Sequence, residues 1–81
     1  MHEIGVRLPK LGLTMEEGVV VDWYVDVGDE VEAGDEIAAI ETDKTTAMVE
    51  SPCSGRVQQV LVPAGESLPV GTLICVIERR N

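Results

Sequence analysis

Residues 18–41 read GVVVDWYVDVGDEVEAGDEIAAIE, and residues 55–78 read GRVQQVLVPAGESLPVGTLICVIE. The two stretches align without a gap at a shift of 37 residues, and eight of the 24 aligned pairs are identical. The matches include apolar residues as well as turn glycines, which adopt positive φ at low cost. The chain therefore contains two copies of one β unit. The identical pairs are Gly18/Gly55, Val20/Val57, Val25/Val62, Gly28/Gly65, Gly34/Gly71, Ile37/Ile74, Ile40/Ile77 and Glu41/Glu78.

Each copy is expected to form a strand, a turn, a short extended piece, a second turn and another strand. The turns are predicted around Gly28 and Gly34 and around Gly65 and Gly71, where Gly, Asp and Glu cluster. No stretch shows the capped 3.6-residue periodicity of a helix. The predicted strands are 3–8, 18–25, 30–32, 36–42, 45–51, 55–62, 67–69 and 72–78.

These strands predict an all-β fold in which two four-stranded antiparallel sheets, related by an internal pseudo-two-fold repeat, close over one core as a flattened β-barrel or sandwich. A length of 81 residues suits a single domain, 1–81. Hydrophobic residues make up 44% of the chain, but its aromatic residues are Trp23 and Tyr24 alone. Aliphatic side chains must therefore build the core, and both aromatic residues are expected to pack rather than to bind a ligand.

The formal net charge of −9 argues against nucleic-acid binding, because such a surface repels phosphate. It either steers a basic partner or only keeps the protein soluble. No apolar run approaches the roughly 20 residues that span a bilayer, and no export signal is evident, so a bacterial-type cytoplasmic location is expected. Cys53 and Cys75 are expected to be free thiols in that compartment. His2 is the sole histidine, and no metal site is predicted.

The segment 37–51 predicts a β-hairpin with Asp43 and Lys44 as its two central residues. Thr42 then pairs with Thr45, and the pairs 41/46, 40/47, 39/48 and 38/49 follow in order. Since side chains alternate between faces, this register gathers apolar residues on one face and acidic and hydroxyl residues on the other. The core-facing set is Ala38, Ile40, Ala47 and Val49, and the outward set is Ala39, Glu41, Thr46, Met48 and Glu50.

Lys44 is consequently expected at the hairpin tip, pointing into water. An exposed tip lysine usually serves solubility alone, but Lys44 is one of two lysines in the chain, with Lys10, and the second repeat has no equivalent of the tip. It also lies within the string ETDKT at residues 41–45.

These motifs resemble those of the lipoyl domains of dihydrolipoyl acyltransferase subunits in 2-oxo acid dehydrogenase complexes. The similar stretches are LPKLGLTMEEG at 8–18, VGDEV at 27–31, IETDKT at 40–45, ESP at 50–52 and Gly55, and together they cover nearly the whole chain. The stretch at 8–18 is most similar to the corresponding stretch of the pyruvate and acetoin dehydrogenase members of the family. Thr45-Thr46 departs mildly from the family, in which an aliphatic or small residue often follows the lysine.

The resemblance implies that lipoic acid is joined covalently to the Lys44 side chain, as N6-lipoyllysine, and carries an acyl group, most simply acetyl. Its implied partners are a lipoate ligase or lipoyltransferase, a thiamine-dependent decarboxylase, the acyltransferase core with coenzyme A, and dihydrolipoyl dehydrogenase. The isolated domain would be a monomeric carrier with no catalytic residue of its own. Recognition by these enzymes is assigned to residues beside the tip and in the loop 9–15: Glu41, Thr42, Asp43, Thr45, Leu11, Gly12 and Leu13.

Three alternatives stay open. A biotin carboxyl carrier domain shares the fold plan but typically flanks its lysine with methionines, whereas Asp43 and Thr45 flank Lys44. A glycine-cleavage hydrogen carrier is longer and contains helices. An unmodified structural domain would leave Lys44 without a role, and Asp43 would then be a turn former only. The sequence does not separate pyruvate from acetoin, a complete protein from a fragment of a longer subunit, or the modified from the unmodified state.

Overall fold

The computed structural model describes residues 2–10, 16–42 and 45–80, and these residues form eight β-strands. Each predicted strand is present, with ends within about two residues of those expected. None of the described residues belongs to a helix with the length and apolarity needed to cross a membrane. The strands are β1 (His2–Arg7), β2 (Glu17–Trp23), β3 (Glu30–Val31), β4 (Glu36–Glu41), β5 (Thr46–Glu50), β6 (Gly55–Val60), β7 (Ser67–Pro69) and β8 (Leu73–Arg79).

The strands pair antiparallel in two four-stranded sheets. We call β5-β4-β2-β7 the hairpin sheet, since it contains the β4–β5 hairpin, and β1-β8-β6-β3 the terminal sheet, since it contains the first and last strands. The predicted all-β sandwich is confirmed, but the sheets stay separate and do not close into a barrel. Each sheet presents one face to the other, so the core lies between them.

The two repeats exchange their short strands. β3 of the first copy pairs with β6 of the second, and β7 of the second pairs with β2 of the first. The hydrogen bonds at this exchange repeat at the same shift of 37 residues: Gly28 N donates to Val57 O at 2.8 Å, and Gly65 N donates to Val20 O at 2.7 Å. The internal pseudo-two-fold is therefore real, and each sheet needs both copies to be complete.

The four predicted turn glycines have the conformation that the turns require. Gly28, Gly34, Gly65 and Gly71 all have φ between 91° and 97°, the left-handed region that other residues occupy at a cost. In the first copy, an aspartate side chain three residues on reinforces each turn: Asp26 N donates to Asp29 Oδ2, and Glu32 N donates to Asp35 Oδ2, both at 2.8 Å. The turns therefore follow directly from local sequence.

The core is aliphatic, as the composition predicts. Equivalent residues of the two copies meet in it, because the repeat places the same strand positions on the inner face of each sheet. At the start of β6, beside the end of β8, a Cβ on Gly55 would overlap the Glu78 carbonyl, so that position admits glycine alone. The buried cluster contains Val6, Leu8, Val20, Val31, Ile37, Ala38, Ile40, Val49, Val57, Leu68, Ile74, Cys75 and Ile77.

The two aromatic residues behave differently. Trp23 packs against the core and donates its indole N–H to the Val62 carbonyl at 3.0 Å, a bond between the two copies. Tyr24 is 50% exposed, so the expectation that it packs was wrong. Strand alternation turns Tyr24 outward when its neighbour Trp23 turns inward. Cys53 is half-buried and Cys75 is buried, and both are free, as expected.

Candidate functional site

The β4–β5 hairpin has the predicted register. Glu41 pairs with Thr46, and the next three pairs toward the base also match the expected alignment. A bulge between residues 36 and 38 shifts the pairing at the far end, where Glu36 lies opposite Glu50. The hairpin is therefore regular at the end nearest its turn. The three further pairs are Ile40/Ala47, Ala39/Met48 and Ala38/Val49.

Hydrogen bonds between two threonines close the regular part of this hairpin. Thr42 N donates to Thr45 O at 2.8 Å. On the other side of the pair, Thr45 N donates to the Thr42 hydroxyl at 3.2 Å. The predicted opposition of Thr42 and Thr45 is thus confirmed, and two residues connect them. These two, Asp43 and Lys44, lie outside the described residues.

The two faces of the hairpin differ as predicted. Ala38, Ile40 and Val49 are buried in the core, and Ala47 is half-buried. On the outward face, Glu41 and Thr46 are exposed. Ala39 is the exception, since it lies on the outward face but is 3% exposed. Its cross-strand neighbours, Asp22 on β2 and Met48 on β5, stand on either side of it.

Tertiary pairing brings the start of β2 beside the end of β4. Val19 lies opposite Glu41, so Glu17 and Glu16, just before it, lie at the same end of the sheet as the hairpin turn. Val70 N donates to the Glu16 carbonyl at 2.9 Å, and Leu8 exchanges backbone hydrogen bonds with the adjacent turn at Gly71 and Thr72. Residues 11–15, which include Leu11, Gly12 and Leu13, lie outside the described residues.

The described residues on either side of the segment 11–15 therefore lie near the end of the molecule that carries the hairpin turn. Of the predicted recognition residues that the structure describes, Glu41 and Thr45 are exposed and Thr42 is half-buried. They adjoin one another at the end of the hairpin. The arrangement can present a side chain to another protein, since the strands beneath it are held by the core.

Among the described residues, no group of three or more His, Cys, Asp or Glu side chains is arranged to hold a metal ion. An open depression of about 500 Å³ lies at the opposite end of the molecule, where β8 ends and β5 is followed by a loop. It is lined by Ile4, Pro52, Cys53, Ser54, Arg79 and Arg80. Arg80 is held there by Glu30 at 2.7 Å and Glu32 at 3.4 Å.

Comparison with known proteins gives a consistent picture. The family model Biotin_lipoyl, described as "Biotin-requiring enzyme", matches residues 4–77. The dihydrolipoyllysine-residue acetyltransferase component of the pyruvate dehydrogenase complex of Rhizobium meliloti is 48% identical over 75 residues, which are 91% of this chain and 17% of that protein. The corresponding component of the acetoin cleaving system of Pseudomonas putida is 44% identical over 72 residues, 89% of this chain and 20% of that protein.

The chain thus spans about a fifth or less of the length of these relatives. Among solved structures, the lipoyl domain of the 2-oxoglutarate dehydrogenase complex of Azotobacter vinelandii has a TM-score of 0.80 at 23% identity, covering 96% of this chain and 99% of that one. The urea carboxylase of Kluyveromyces lactis contains a similar region, with a TM-score of 0.80 at 29% identity, covering 96% of this chain and 6% of that one.

The fold, the hairpin with two residues between Thr42 and Thr45, and the match over residues 4–77 agree with one another. The chain therefore belongs to the Biotin_lipoyl family.

Proposed function

We propose that this chain is a lipoyl carrier domain in which lipoic acid is attached to Lys44. The observation that carries the proposal is the hairpin closed by Thr42 and Thr45, which leaves residues 43 and 44 as its turn. The curated relatives support it, because they are named dihydrolipoyllysine-residue acetyltransferase components. Attachment would form an amide between the Lys44 amine and the lipoyl carboxyl group, and so would remove one positive charge.

When bound, lipoic acid supplies a dithiolane that accepts an acyl group and gives it up again. The chain's own contribution is to hold the attachment point in place. Buried Ile40 and Val49 anchor the two strands of the hairpin, and the Thr42–Thr45 hydrogen bonds close it next to the turn. An attachment point held between two anchored strands loses less conformational entropy when an enzyme binds it than one on a flexible peptide does. The domain needs no catalytic residue for this task.

The recognition residues form a second part of the proposal. Glu41, Thr42 and Thr45 lie directly beside the turn. Asp43 and the loop residues Leu11, Gly12 and Leu13 are assigned to the same set from the sequence. The contacts that support this assignment are those that bring Glu16 and Leu8, on either side of the loop, to the hairpin end.

The proposed partners recognise the same end of the domain. A lipoate ligase or lipoyltransferase would attach lipoic acid to Lys44. A thiamine-dependent decarboxylase, an acyltransferase core with coenzyme A and dihydrolipoyl dehydrogenase would then act on the group that Lys44 carries, and not on the lysine itself. Relatives of both the pyruvate dehydrogenase and the acetoin cleaving type match this chain. The acyl group proposed is acetyl, and the free thiols Cys53 and Cys75 favour a reducing, cytoplasmic location.

Biotin is the second candidate for the group on Lys44. It is favoured by the description of the matching family and by the likeness to urea carboxylase. The residues beside the lysine, Asp43 and Thr45, argue for lipoic acid, because biotin carriers typically have methionines there. The two groups differ in mass, so one measurement separates them.

The test is to express the chain together with a lipoyl ligase and lipoate, and separately with a biotin ligase and biotin, and to weigh the intact protein. We expect one lipoyl adduct on the wild type and on Lys10→Arg, the matched control, and none on Lys44→Arg. A lipoyl adduct that survives in Lys44→Arg would refute the assignment of the site. A biotin adduct in place of the lipoyl adduct would establish the second candidate.

A further inference from the structure

Residues 69–72, which we call the base turn, hold both ends of the connection between β1 and β2. At the first end, Leu8 N donates to Thr72 O at 2.9 Å. At the second end, Val70 N donates to Glu16 O, also at 2.9 Å. A short turn of the second repeat therefore fixes where the loop that precedes the first repeat begins and ends.

The first repeat has an equivalent turn at residues 32–35, which we call the counterpart turn, at the opposite end of the molecule. It holds Ser51 as the base turn holds Leu8, through two backbone hydrogen bonds of 2.8 Å. From Ser51, three residues, 52–54, lead to the glycine that opens the second repeat. From Leu8, nine residues, 9–17, lead to the glycine that opens the first. The fold can thus close this connection with three residues, and the extra length lies at the end that carries the hairpin turn.

One further bond to the base turn comes from a side chain of β1. The Arg7 guanidinium donates to Gly71 O at 3.0 Å. The residue in the matching place at the counterpart turn is Glu50, whose carboxylate cannot donate to a carbonyl when ionised. Within the base turn, the Thr72 hydroxyl donates to Pro69 O at 2.7 Å. Two polar side chains therefore brace this turn in addition to its backbone bonds.

We propose that the base turn positions the loop 9–15 for the decarboxylase that acylates the domain, and that Arg7 and Thr72 are its positioning residues. The proposal rests on the carrier function proposed above and adds two residues to it that lie outside the sequence motifs. Where a partner contacts a loop depends on where the two ends of the loop are fixed. A displacement of about 1 Å in such a contact can lower a rate by up to about a hundredfold.

The test compares two double variants of the lipoylated chain that remove the same groups from the two equivalent turns. Arg7→Gln with Thr72→Val removes a guanidinium and a hydroxyl at the base turn. Arg80→Gln with Ser54→Ala removes a guanidinium and a hydroxyl at the counterpart turn, where they bind Glu32 at 3.4 Å and 2.9 Å. The net charge changes equally in both.

The measured quantities are the urea midpoint and the kcat and KM for acylation of the lipoyl group. Acylation is followed with the thiamine-dependent enzymes of a pyruvate dehydrogenase complex and of an acetoin cleaving system, and the enzyme that acylates the wild type with the higher kcat/KM is used for the variants. Intact mass establishes complete lipoylation of each protein before the assay.

Both double variants should lower the urea midpoint to a similar extent, since each loses comparable hydrogen bonds at the surface. The base-turn variant alone should raise KM, by about fivefold with kcat unchanged, because the loop is displaced while the lipoyl group is intact. Arg7→Lys with Thr72→Ser keeps a cationic donor and a hydroxyl, and should bring KM to within about twofold of the wild type. Arg7→Gln alone, at an exposed side chain, should raise KM about twofold and tests the proposal even if the double variant does not fold.

Equal KM values for the two double variants would overturn the role of the base turn and leave the carrier function intact, since both proteins would still be lipoylated and acylated. A folded wild-type chain that takes up no lipoate, or whose lipoyl group neither thiamine enzyme acylates, would overturn the carrier function and this inference with it.

Discussion

At the level of single residues, the burial of Cys75 has a measurable effect on how stability depends on pH. It lies fully inside the core, and desolvation raises the pKa of its thiol from 9.0 to about 11. In the unfolded chain the thiol ionises first, so its contribution to stability is complete below pH 9 and is lost as pH rises toward 11. Across this window we expect the free energy of unfolding to fall more steeply in the wild type than in Cys75→Val, and the difference between the two slopes to be about 1.4 kcal/mol per pH unit.

The measurement is urea unfolding at pH 8 to 11, followed by Trp23 fluorescence. Cys75→Val keeps an apolar side chain of similar size, and every other titrating group is common to both proteins, so the difference between their slopes isolates the thiol. Parallel slopes would show that the thiol ionises as readily in the folded protein as in the unfolded chain.

At the scale of the element, the end of the β4–β5 hairpin depends on Thr42. Its hydroxyl accepts a hydrogen bond from Thr45 N at 3.2 Å, and its own N–H donates to Thr45 O. Thr42→Val keeps the shape and the backbone bond but removes the hydroxyl acceptor, at a cost of about 1 kcal/mol. We expect the Thr45 amide to exchange with solvent about fivefold faster, as measured by NMR hydrogen exchange.

Thr46→Val is the matched control, because the Thr46 side chain is exposed and makes no such bond to a described residue across the hairpin. Its effect on exchange at Thr45 should be less than twofold. If both variants accelerate exchange alike, the cause is the β-branched apolar side chain rather than the lost acceptor.

At the scale of the whole molecule, the exchange of short strands predicts a single cooperative unfolding transition. Neither copy of the repeat can complete a sheet without the other, because β3 pairs with β6 and β7 pairs with β2. Val57→Ala, in the second copy, removes a fully buried side chain at a cost of about 2 kcal/mol. We expect it to lower the urea midpoint seen by Trp23, in the first copy, as much as the midpoint seen by far-ultraviolet circular dichroism.

Val20→Ala is the equivalent change in the first copy and should act on both signals to the same extent. Separate transitions for Trp23 fluorescence and circular dichroism would contradict the prediction, since they would mean that one copy persists after the other has unfolded.

Local pattern alone determined a large part of this protein. The repeat predicted six of the eight strands, the glycines predicted the four turns with positive φ, and alternation of apolar and polar residues predicted the register from Ala38 to Thr42. These features are local because a turn depends on a few adjacent residues and a one-residue slip in the hairpin would bury Glu41. The family resemblance carried by residues 8–55 supplied the assignment of Lys44, which neither composition nor periodicity gives.

Tertiary structure decided which strands meet. No local pattern shows that the two-residue strand β3 joins the sheet of the other copy, or that Trp23 donates to Val62 of that copy, because such pairings depend on closure of the whole chain. The same holds for the exposed carboxylates of the hairpin sheet. Glu50 is far in sequence from Glu17 and Asp22, and it shares a surface with them because β2, β4 and β5 are neighbours in one sheet. Alternation tells each strand which side is outward but not which strands lie beside it.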